Sequence, residues 1–166
     1  MRNAHRSDAS DAFDASLRGV QDEGMTPQAI VDGFSRVWAD PPAHEFRFLD
    51  AFSPDVELIA PLAGRTRGRE AGYAAFRRTF ALFPDLRAEV HAWSASEDRI
   101  WISMTFHTRE LSWHSVDVLT LTDGIVTSRR AYFDPLPVLA YVLRRPALAW
   151  RWLRIRRARG APSWPR

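Results

Sequence analysis

Two strands and a tight turn are predicted in residues 113–135, WHSVDVLTLTDGIVTSRRAYFDP, and this stretch decides the fold. Apolar residues alternate with polar ones on both sides of the dipeptide Asp123-Gly124. Alternation of this kind indicates half-buried strands, and Asp-Gly between two of them favours a hairpin because glycine tolerates the positive φ of a tight turn. One carboxylate, Asp117, stands among apolar neighbours on the first strand. We therefore expect the rest of the chain to pack around this hairpin.

The register of the hairpin decides which arginine lies across from Asp117. A three-residue loop of residues 122–124 places Asp117 opposite Arg129, whereas a two-residue turn places it opposite Arg130. In both registers a carboxylate meets a guanidinium. Such a pair contributes about 0.2–1 kcal/mol on an exposed face and has larger consequences on a buried one. The sequence leaves the two registers open.

Length and composition predict one cytoplasmic domain with a single core. The chain has 166 residues, of which 46% are hydrophobic, and this is enough for one sizeable domain. The absence of cysteine excludes disulfides, thiolate metal sites and a cysteine nucleophile. Residues 1–24 are polar and predict a mobile segment rather than a signal peptide. No apolar run approaches the roughly 18 residues that a membrane-spanning helix needs.

The charged residues divide the chain into an acidic body and a basic tail. Eight arginines and no acidic residue follow Asp134, so the remaining 15 of the 23 basic residues accompany all 20 acidic ones. Three interpretations of the tail, residues 136–166, remain. It contacts an anionic membrane surface, it binds nucleic acid without a recognised module, or it folds back on the body or a second subunit, where Trp150 and Trp152 cover apolar surface. We favour the last, keep membrane contact as the alternative, and expect no nucleic acid partner.

Three helices are predicted before the hairpin. Thr26-Pro27 has the pattern of an N-cap with proline at the first helical position, and apolar residues then recur at helical spacing up to Trp38. A second helix is predicted over about 43–52 and a third from Arg69. The third carries a stripe of aromatic residues, which we interpret as core packing. The stripe consists of Tyr73, Phe76, Phe80 and Phe83.

Strands are predicted over 56–61, 86–93 and 99–108, with a loop over 62–68. In residues 99–108 the apolar residues alternate with partly polar ones, so only one face of the sheet is expected to be buried. The order of elements predicts an α+β fold in which three N-terminal helices pack on a strongly curved, mainly antiparallel sheet. We place this domain at residues 25–135. Two short helices of the tail form a C-terminal helical extension.

Four motifs together resemble the SnoaL-like group of the nuclear transport factor 2-like superfamily. They are the strand DVELIAP (55–61), the helix entry GREAGYAAF (68–76), the turn FPD (83–85), and the hairpin with its Val-Asp-Val, Asp-Gly-Ile and Tyr-Phe-Asp segments. The resemblance covers roughly residues 27–143 and implies a cone-shaped α+β barrel that encloses a ligand pocket, commonly in a homodimer. The same cone serves polyketide cyclases, ketosteroid isomerases, epoxide hydrolases and non-catalytic binding domains, so the fold alone does not assign a reaction.

The catalytic residues of two such enzyme groups are missing from matching positions. Ketosteroid isomerases carry their proton-transferring aspartate just before the proline of the first strand, where this chain has Ala60. Their oxyanion-stabilising tyrosine falls near Phe34, whereas their second oxyanion-hole acid corresponds to Asp117. The Arg-x-Asp pair of limonene-type epoxide hydrolases has no counterpart in residues 101–107, and Ala131 stands where the last strand would offer an acid. Neither mechanism is expected here.

A proton-transfer role for Asp117 is what the resemblance still implies. Small polyketide cyclases use one pocket acid or base, for which Asp117 is the candidate, with His107 as a second catalytic candidate. Burial raises the pKa of such a carboxyl group, whereas a charged Arg129 nearby lowers it. The alternative is a structural ion pair in a non-catalytic ligand-binding or dimerising domain. The residues expected to wall the pocket are Phe34, Trp38, Tyr73, Leu119, Arg129, Ala131 and Phe133.

Cofactors and metals are not predicted. His91, His107 and His114 lie on three predicted strands, and nothing in their spacing requires their imidazoles to converge. The expected partners are therefore a hydrophobic small molecule and a second copy of the chain.

Overall fold

In the computed structural model, which describes residues 25–44, 47, 49–50 and 52–157, four helices and six strands are seen within those ranges. The helices are α1 (Pro27–Ala39), α2 (Arg69–Leu82), α3 (Pro135–Leu143) and α4 (Pro146–Arg157). The strands are β1 (Phe52–Ala60), β2 (Gly64–Arg67), β3 (Arg87–Ala95), β4 (Arg99–His107), β5 (Ser112–Thr122) and β6 (Ile125–Tyr132). The segment 1–24, predicted to be mobile, lies outside the described residues.

The six strands form one curved sheet in the order β2-β1-β6-β5-β4-β3. Every neighbouring pair is antiparallel except β1 and β6, which run parallel. The predicted α+β fold with a mainly antiparallel sheet is therefore confirmed. The sheet does not close on itself, because β2 and β3 are its two edges. The cone is thus an open, curved sheet covered by helices.

The hairpin of β5 and β6 turns through two residues. Asp123 and Gly124 both have positive φ, 50° and 73°, as a two-residue hairpin turn requires. Beyond the turn the register shifts by one residue at Thr127, which is the extra residue of a β-bulge. Asp117 consequently lies opposite Ala131. Neither predicted register holds at Asp117, because the sequence pattern contains the turn but does not reveal the bulge.

The predicted helix over about 43–52 is not formed in the described part of that stretch. Residues 41–44 and 49–50 are turns, and β1 begins at Phe52. Leu49 is fully buried although it lies in a turn, so apolar spacing that resembles that of a helix arises here from a core residue outside any helix. The predicted loop 62–68 also contains β2, a short edge strand that pairs with β1. None of its four residues is buried, so no hydrophobic pattern predicts it.

Helices α1 and α2 pack on one face of the sheet. Thr26 caps α1 by accepting a hydrogen bond from the backbone of Ala29, as predicted. Trp38, near the end of α1, is buried in an aromatic cluster, with its ring centroid 4.9 Å from that of Phe106 and 5.9 Å from that of Phe76. The aromatic stripe of α2 thus belongs to the core, as interpreted from its spacing.

The C-terminal helix pair, α3 and α4, packs against the body of the domain. Asp134 caps α3 by accepting a hydrogen bond from the backbone of Leu136. Glu110 lies in the loop between β4 and β5, and its carboxylate accepts hydrogen bonds from Arg145 and Tyr141. Arg151 donates to the backbone carbonyl of Ala81 at the end of α2. Among the described helices, none combines the length and apolar composition needed to cross a membrane.

Candidate functional site

A cavity of about 170 Å³ lies between the sheet, α2 and the C-terminal helix pair. Its walls are almost entirely apolar. The body of the domain contributes Trp38, Leu58, Ile59, Ala60, Leu62, Ala63, Gly64, Thr66, Ala75, Phe76, Thr79, Leu82, Phe83, Leu86, Phe106, Trp113, Arg129, Ala131 and Phe133. The C-terminal helix pair contributes Val138, Val142 and Trp152. Arg129 is the charged residue among these described lining residues.

The Arg129 side chain is held from two sides. Its Nε donates to Oδ2 of Asp117 at 2.5 Å, and its Nη2 forms an ion pair with the same oxygen. The guanidinium carbon also lies 5.6–5.7 Å from the ring centroids of Phe34, Trp38 and Phe76, within the range of cation–π attraction. The cavity wall thus presents a cation that aromatic rings and one carboxylate hold in place.

The β-bulge at Thr127 brings Asp117 and Arg129 together. Side chains of residues directly opposite on antiparallel strands share a face of the sheet. Since Asp117 lies opposite Ala131, Arg129 is its diagonal neighbour on that face and Arg130 points to the other. Arg129 is accordingly buried, whereas Arg130 is exposed. A carboxylate–guanidinium pair was predicted, and the structure forms it with Arg129 along the diagonal.

Asp117 is fully buried and does not line the cavity. Its Oδ1 accepts a hydrogen bond from the Ser115 hydroxyl at 3.2 Å. Burial raises the pKa of the Asp117 carboxyl group above its ordinary value, and the charge and hydrogen bonds of Arg129 oppose that shift. Burial is the stronger cause, because the carboxylate has lost all contact with water.

The predicted pocket residues divide into two groups. Trp38, Arg129, Ala131 and Phe133 line the cavity. The others do not. Phe34 packs against the Arg129 guanidinium, and Leu119 is fully buried in the core. The Tyr73 hydroxyl donates to Asp50 instead, and burial together with that carboxylate raises the pKa of Tyr73.

His107 lies on the opposite face of the sheet from the cavity. Its neighbour Phe106 lines the cavity, and side chains alternate along β4. The His107 Nδ1 atom forms a hydrogen bond with the Ser112 hydroxyl at 3.0 Å. On the same outer face, the rings of His91 and His114 stack with centroids 6.0 Å apart. The described residues contain no group of three or more side chains able to hold a metal ion.

Trp113 and the C-terminal helix pair line the cavity without having been predicted to do so. Trp113 shares a face of β5 with Asp117, so strand alternation contained the signal for it. Its indole nitrogen is buried without a hydrogen-bond partner in the described structure. Val138, Val142 and Trp152 could not be found in this way, because no local pattern says where a terminal helix docks.

The matching family model provides the decisive comparison. A model described as SnoaL-like domain matches residues 31–129, which is more than half of the chain. The chain belongs to the SnoaL-like domain family. The sequence-based resemblance is thereby confirmed. No functionally curated protein matches the sequence.

Solved structures share the fold of this SnoaL-like protein. A SnoaL-like candidate polyketide cyclase from Jannaschia is 19% identical, with a TM-score of 0.60 over 70% of this chain and 93% of the other. IdmH, a candidate polyketide cyclase from Streptomyces antibioticus, is 18% identical, with a TM-score of 0.56 over 70% and 97%. A SnoaL-like protein of unknown function from Burkholderia thailandensis is 27% identical, with a TM-score of 0.53 over 66% and 98%.

The cavity wall of this SnoaL-like domain lacks an acid or base in its described part. Ala60, at the position where ketosteroid isomerases have their aspartate, lines the cavity. The other polar side chains of the described wall are the hydroxyls of Thr66 and Thr79 and the indole groups, and the Thr79 hydroxyl already donates to the carbonyl of Ala75. Arg129 is therefore the charged residue of the described wall, with Asp117 behind it.

Proposed function

We propose that this SnoaL-like domain binds a small apolar molecule that carries an oxygen function at one end. The apolar part occupies the cavity, and a carbonyl, enolate or carboxylate oxygen accepts hydrogen bonds from Arg129. The observation that carries this proposal is the cavity itself, an apolar wall with one guanidinium. Ligand pockets generally have this composition, with apolar surface for affinity and a few polar groups for orientation.

The volume of the cavity limits the size of the ligand. A dry cavity of about 150 Å³ takes one benzene-sized ring, and pockets for drug-sized ligands measure about 300–1,000 Å³. A cavity of about 170 Å³ accordingly fits one substituted ring. The ligand class we propose is an aromatic or alicyclic ketone, phenol or carboxylic acid of that size.

Arg129 gives a ligand of this class its orientation. The guanidinium has five N–H donors, and the described contacts with Asp117 engage Nε and Nη2 on one edge of it. Arg129 lines the cavity, and we assign its remaining N–H donors to the ligand. A hydrogen bond from a charged donor is stronger than one between neutral groups, so a ligand with an oxygen at this end binds better than its hydrocarbon analogue.

Calorimetric titration with matched ligands tests the proposal. Benzoate and acetophenone are expected to bind more tightly than ethylbenzene. Ala131→Leu places a larger side chain in the cavity and is expected to abolish binding, whereas Ala92→Leu, at an exposed site on β3, is the matched control. The proposal fails if none of these ligands binds, or if both variants bind them equally well.

A second candidate function is cyclase- or isomerase-type proton transfer. It is favoured by the buried Asp117 carboxyl group, whose pKa is raised toward the range in which an acid can donate a proton. Polyketide cyclases are also named among the structural neighbours. In this reaction Arg129 stabilises the enolate oxygen of a bound ketone, and Asp117 exchanges a proton with the carbon beside it. Direct exchange requires the Arg129 side chain to move off Asp117, because Asp117 does not reach the cavity wall.

Deuterium incorporation beside the carbonyl group of cyclic ketones and polyketide mimics separates the two functions. If Asp117 transfers the proton, Asp117→Asn slows the exchange while ligand binding persists. If exchange on the wild-type protein is no faster than in buffer, or is unchanged in Asp117→Asn, Asp117 is a structural partner of Arg129 and the domain is a binding protein.

We also propose that the outer face of the sheet pairs two copies of the chain. The half-buried side chains of Trp101, Val116 and Val118 lie together on this face. Apolar surface of this kind is typical of the core of an interface. Light scattering of the wild-type protein is expected to give the mass of a dimer, and Val118→Arg that of a monomer. A monomeric wild-type protein would refute the pairing.

A further inference from the structure

The outward face of the C-terminal helix pair exposes large apolar side chains. On α3, Leu136 and Leu143 are 67% and 56% exposed, and on α4, Trp150 and Leu153 are 56% and 39% exposed. Scattered exposed apolar residues are common on protein surfaces, but a concentration on one element marks an interaction surface. We call the outward face of α3 and α4 the C-terminal face.

Helix α4 has two apolar faces, which explains a sequence pattern of imperfect amphipathicity. Leu148 and Trp152 pack against the core, and Trp152 also borders the cavity. Trp150 and Leu153 fall on the opposite side of the helix, among exposed arginines. A helix that only covered the domain would carry polar residues on its outer side. The apolar side chains on the outer side of α4 are therefore not explained by the packing of this helix on the domain.

Arginines surround the exposed apolar residues of the C-terminal face. Arg144 and Arg154 are exposed on these two helices. No acidic residue follows Asp134, whereas eight arginines do. The partner of this face therefore carries negative charge, and it also accepts tryptophan and leucine side chains.

An anionic lipid surface has both properties. Interfacial helices carry Lys or Arg on their polar positions and Trp, Phe or Leu on those that enter the boundary between headgroups and acyl chains. Tryptophan is enriched at this depth, and each arginine near an anionic surface contributes about 1 kcal/mol of attraction. A nucleic acid would engage the arginines through its phosphates but would leave Leu136 and Leu143 without a role.

We infer that the C-terminal face docks on an anionic lipid surface. Trp150 and Leu153 enter the interface, and the arginines around them contact the lipid phosphates. The docking uses only the outward sides of α3 and α4, so their inward sides stay against the cavity. It also stands independently of the ligand proposed for that cavity, since no lining residue takes part.

Vesicle flotation of the full-length chain tests the docking. Vesicles of phosphatidylcholine alone are compared with vesicles that also contain phosphatidylglycerol, at low and physiological ionic strength. The chain is expected to float only with the anionic vesicles, and more weakly at the higher ionic strength. Arg144→Gln combined with Arg154→Gln is expected to weaken partitioning on the order of thirtyfold. Trp150→Ser combined with Leu153→Ser is expected to weaken it about tenfold or more.

Matched controls distinguish docking through the C-terminal face from nonspecific adsorption to vesicles. Arg67→Gln with Arg77→Gln removes two exposed arginines of the body, and Trp93→Ser with Ile125→Ser removes two exposed apolar residues of the sheet. Both control pairs are expected to float like the wild-type protein. Thermal unfolding verifies that all four double variants remain folded, as expected for changes at exposed sites.

Three results would overturn the inference. One is the absence of flotation with anionic vesicles at low ionic strength. Another is equal flotation of the wild-type protein and the two test variants. The third is binding of duplex DNA, measured by fluorescence anisotropy, by a chain that does not bind vesicles, since that result assigns the arginines to nucleic acid.

Discussion

Arg129 separates Asp117 from the cavity, with its Nε atom 2.5 Å from Oδ2 of the carboxylate. The carboxylate is fully buried and does not line the cavity, whereas Arg129 does. The proposed ligand would therefore meet the cation first, and the anion sets the position and electrostatics of that cation. In a site where a pocket acid contacts its substrate directly, the carboxyl group itself lines the cavity. Here Arg129 lines the cavity and Asp117 lies behind it, so the two residues have different roles.

Removing the carboxylate is expected to destabilise the domain more than removing the guanidinium. Asp117→Leu leaves Arg129 buried and charged, because arginine does not lose its proton in proteins, and breaking a buried pair in this way costs about 3–5 kcal/mol. Arg129→Met is expected to cost less, since the Asp117 carboxyl group can bind a proton and become neutral. Urea unfolding measures both losses, and a larger cost for Arg129→Met would contradict this order.

The double variant Asp117→Leu/Arg129→Met is expected to recover most of the stability lost by Asp117→Leu. Apolar residues that replace both members of a buried pair leave no unpaired charge. The surface pair of half-buried Glu57 and exposed Arg65, whose Oε1 and Nη1 atoms lie 3.2 Å apart, is the control. Breaking it is expected to cost about 0–1 kcal/mol. Additive losses at 117 and 129 would show that the pair does not act as a unit.

The raised pKa of Asp117 predicts a pH-dependent stability. The folded protein keeps the Asp117 proton above pH 3.8, the ordinary value at which the unfolded chain releases it. Folding therefore binds a proton in this range, and the free energy of unfolding falls as pH rises from about 4 through the folded pKa. Asp117→Asn removes this titration. The stability of the wild-type protein relative to Asp117→Asn should decrease with rising pH, and a flat or increasing difference would refute the prediction.

Two tryptophans of α4 are expected to respond differently to truncation. Trp152→Ala removes a side chain that packs on the core and borders the cavity, and we expect it to cost about 1–3 kcal/mol, below the range for a fully buried tryptophan. Trp150→Ala changes an exposed site and is expected to stay within about 0.5 kcal/mol. Urea unfolding and the binding of an apolar fluorescent dye measure the effects. Equal responses would mean that α4 does not form a wall of the cavity.

Two helical glycines provide a matched pair for packing. A Cβ atom added at Gly33 in α1 meets nothing within 4 Å, whereas one at Gly72 in α2 falls 2.5 Å from Cδ1 of Leu49 and 2.7 Å from Cδ1 of Leu58. Gly33→Ala is expected to stabilise the domain by about 0.4–1 kcal/mol, because it restricts the unfolded chain. Gly72→Ala is expected to destabilise it by about 1–3 kcal/mol, because both leucines are buried and must shift. Thermal unfolding shows whether each variant is more or less stable than the wild-type protein. Stabilisation by Gly72→Ala would contradict the packing of α2.

Local signals in the sequence determined most of the helices and strands of this protein. Thr26-Pro27 begins a helix because a hydroxyl side chain caps it and proline suits its first turn. Asp134 caps α3 in the same way. Alternation of apolar and polar residues predicted β4, β5 and β6. Asp123-Gly124 predicted the turn between β5 and β6, because the positive φ angles of a two-residue hairpin turn favour Asp-Gly. Together with the motifs, these signals were sufficient for the α+β fold and its family.

The tertiary structure alone decided the register at Asp117, the local structure around Leu49 and the composition of the cavity. The bulge at Thr127 depends on how two whole strands fit a curved sheet, and a turn with a buried leucine has the same apolar spacing as a helix. Trp152 reaches the cavity through a packing contact between segments far apart in the chain. The sequence therefore indicated that Asp117 pairs with either Arg129 or Arg130, whereas only packing selected Arg129 and placed it on the cavity wall with the carboxylate behind it.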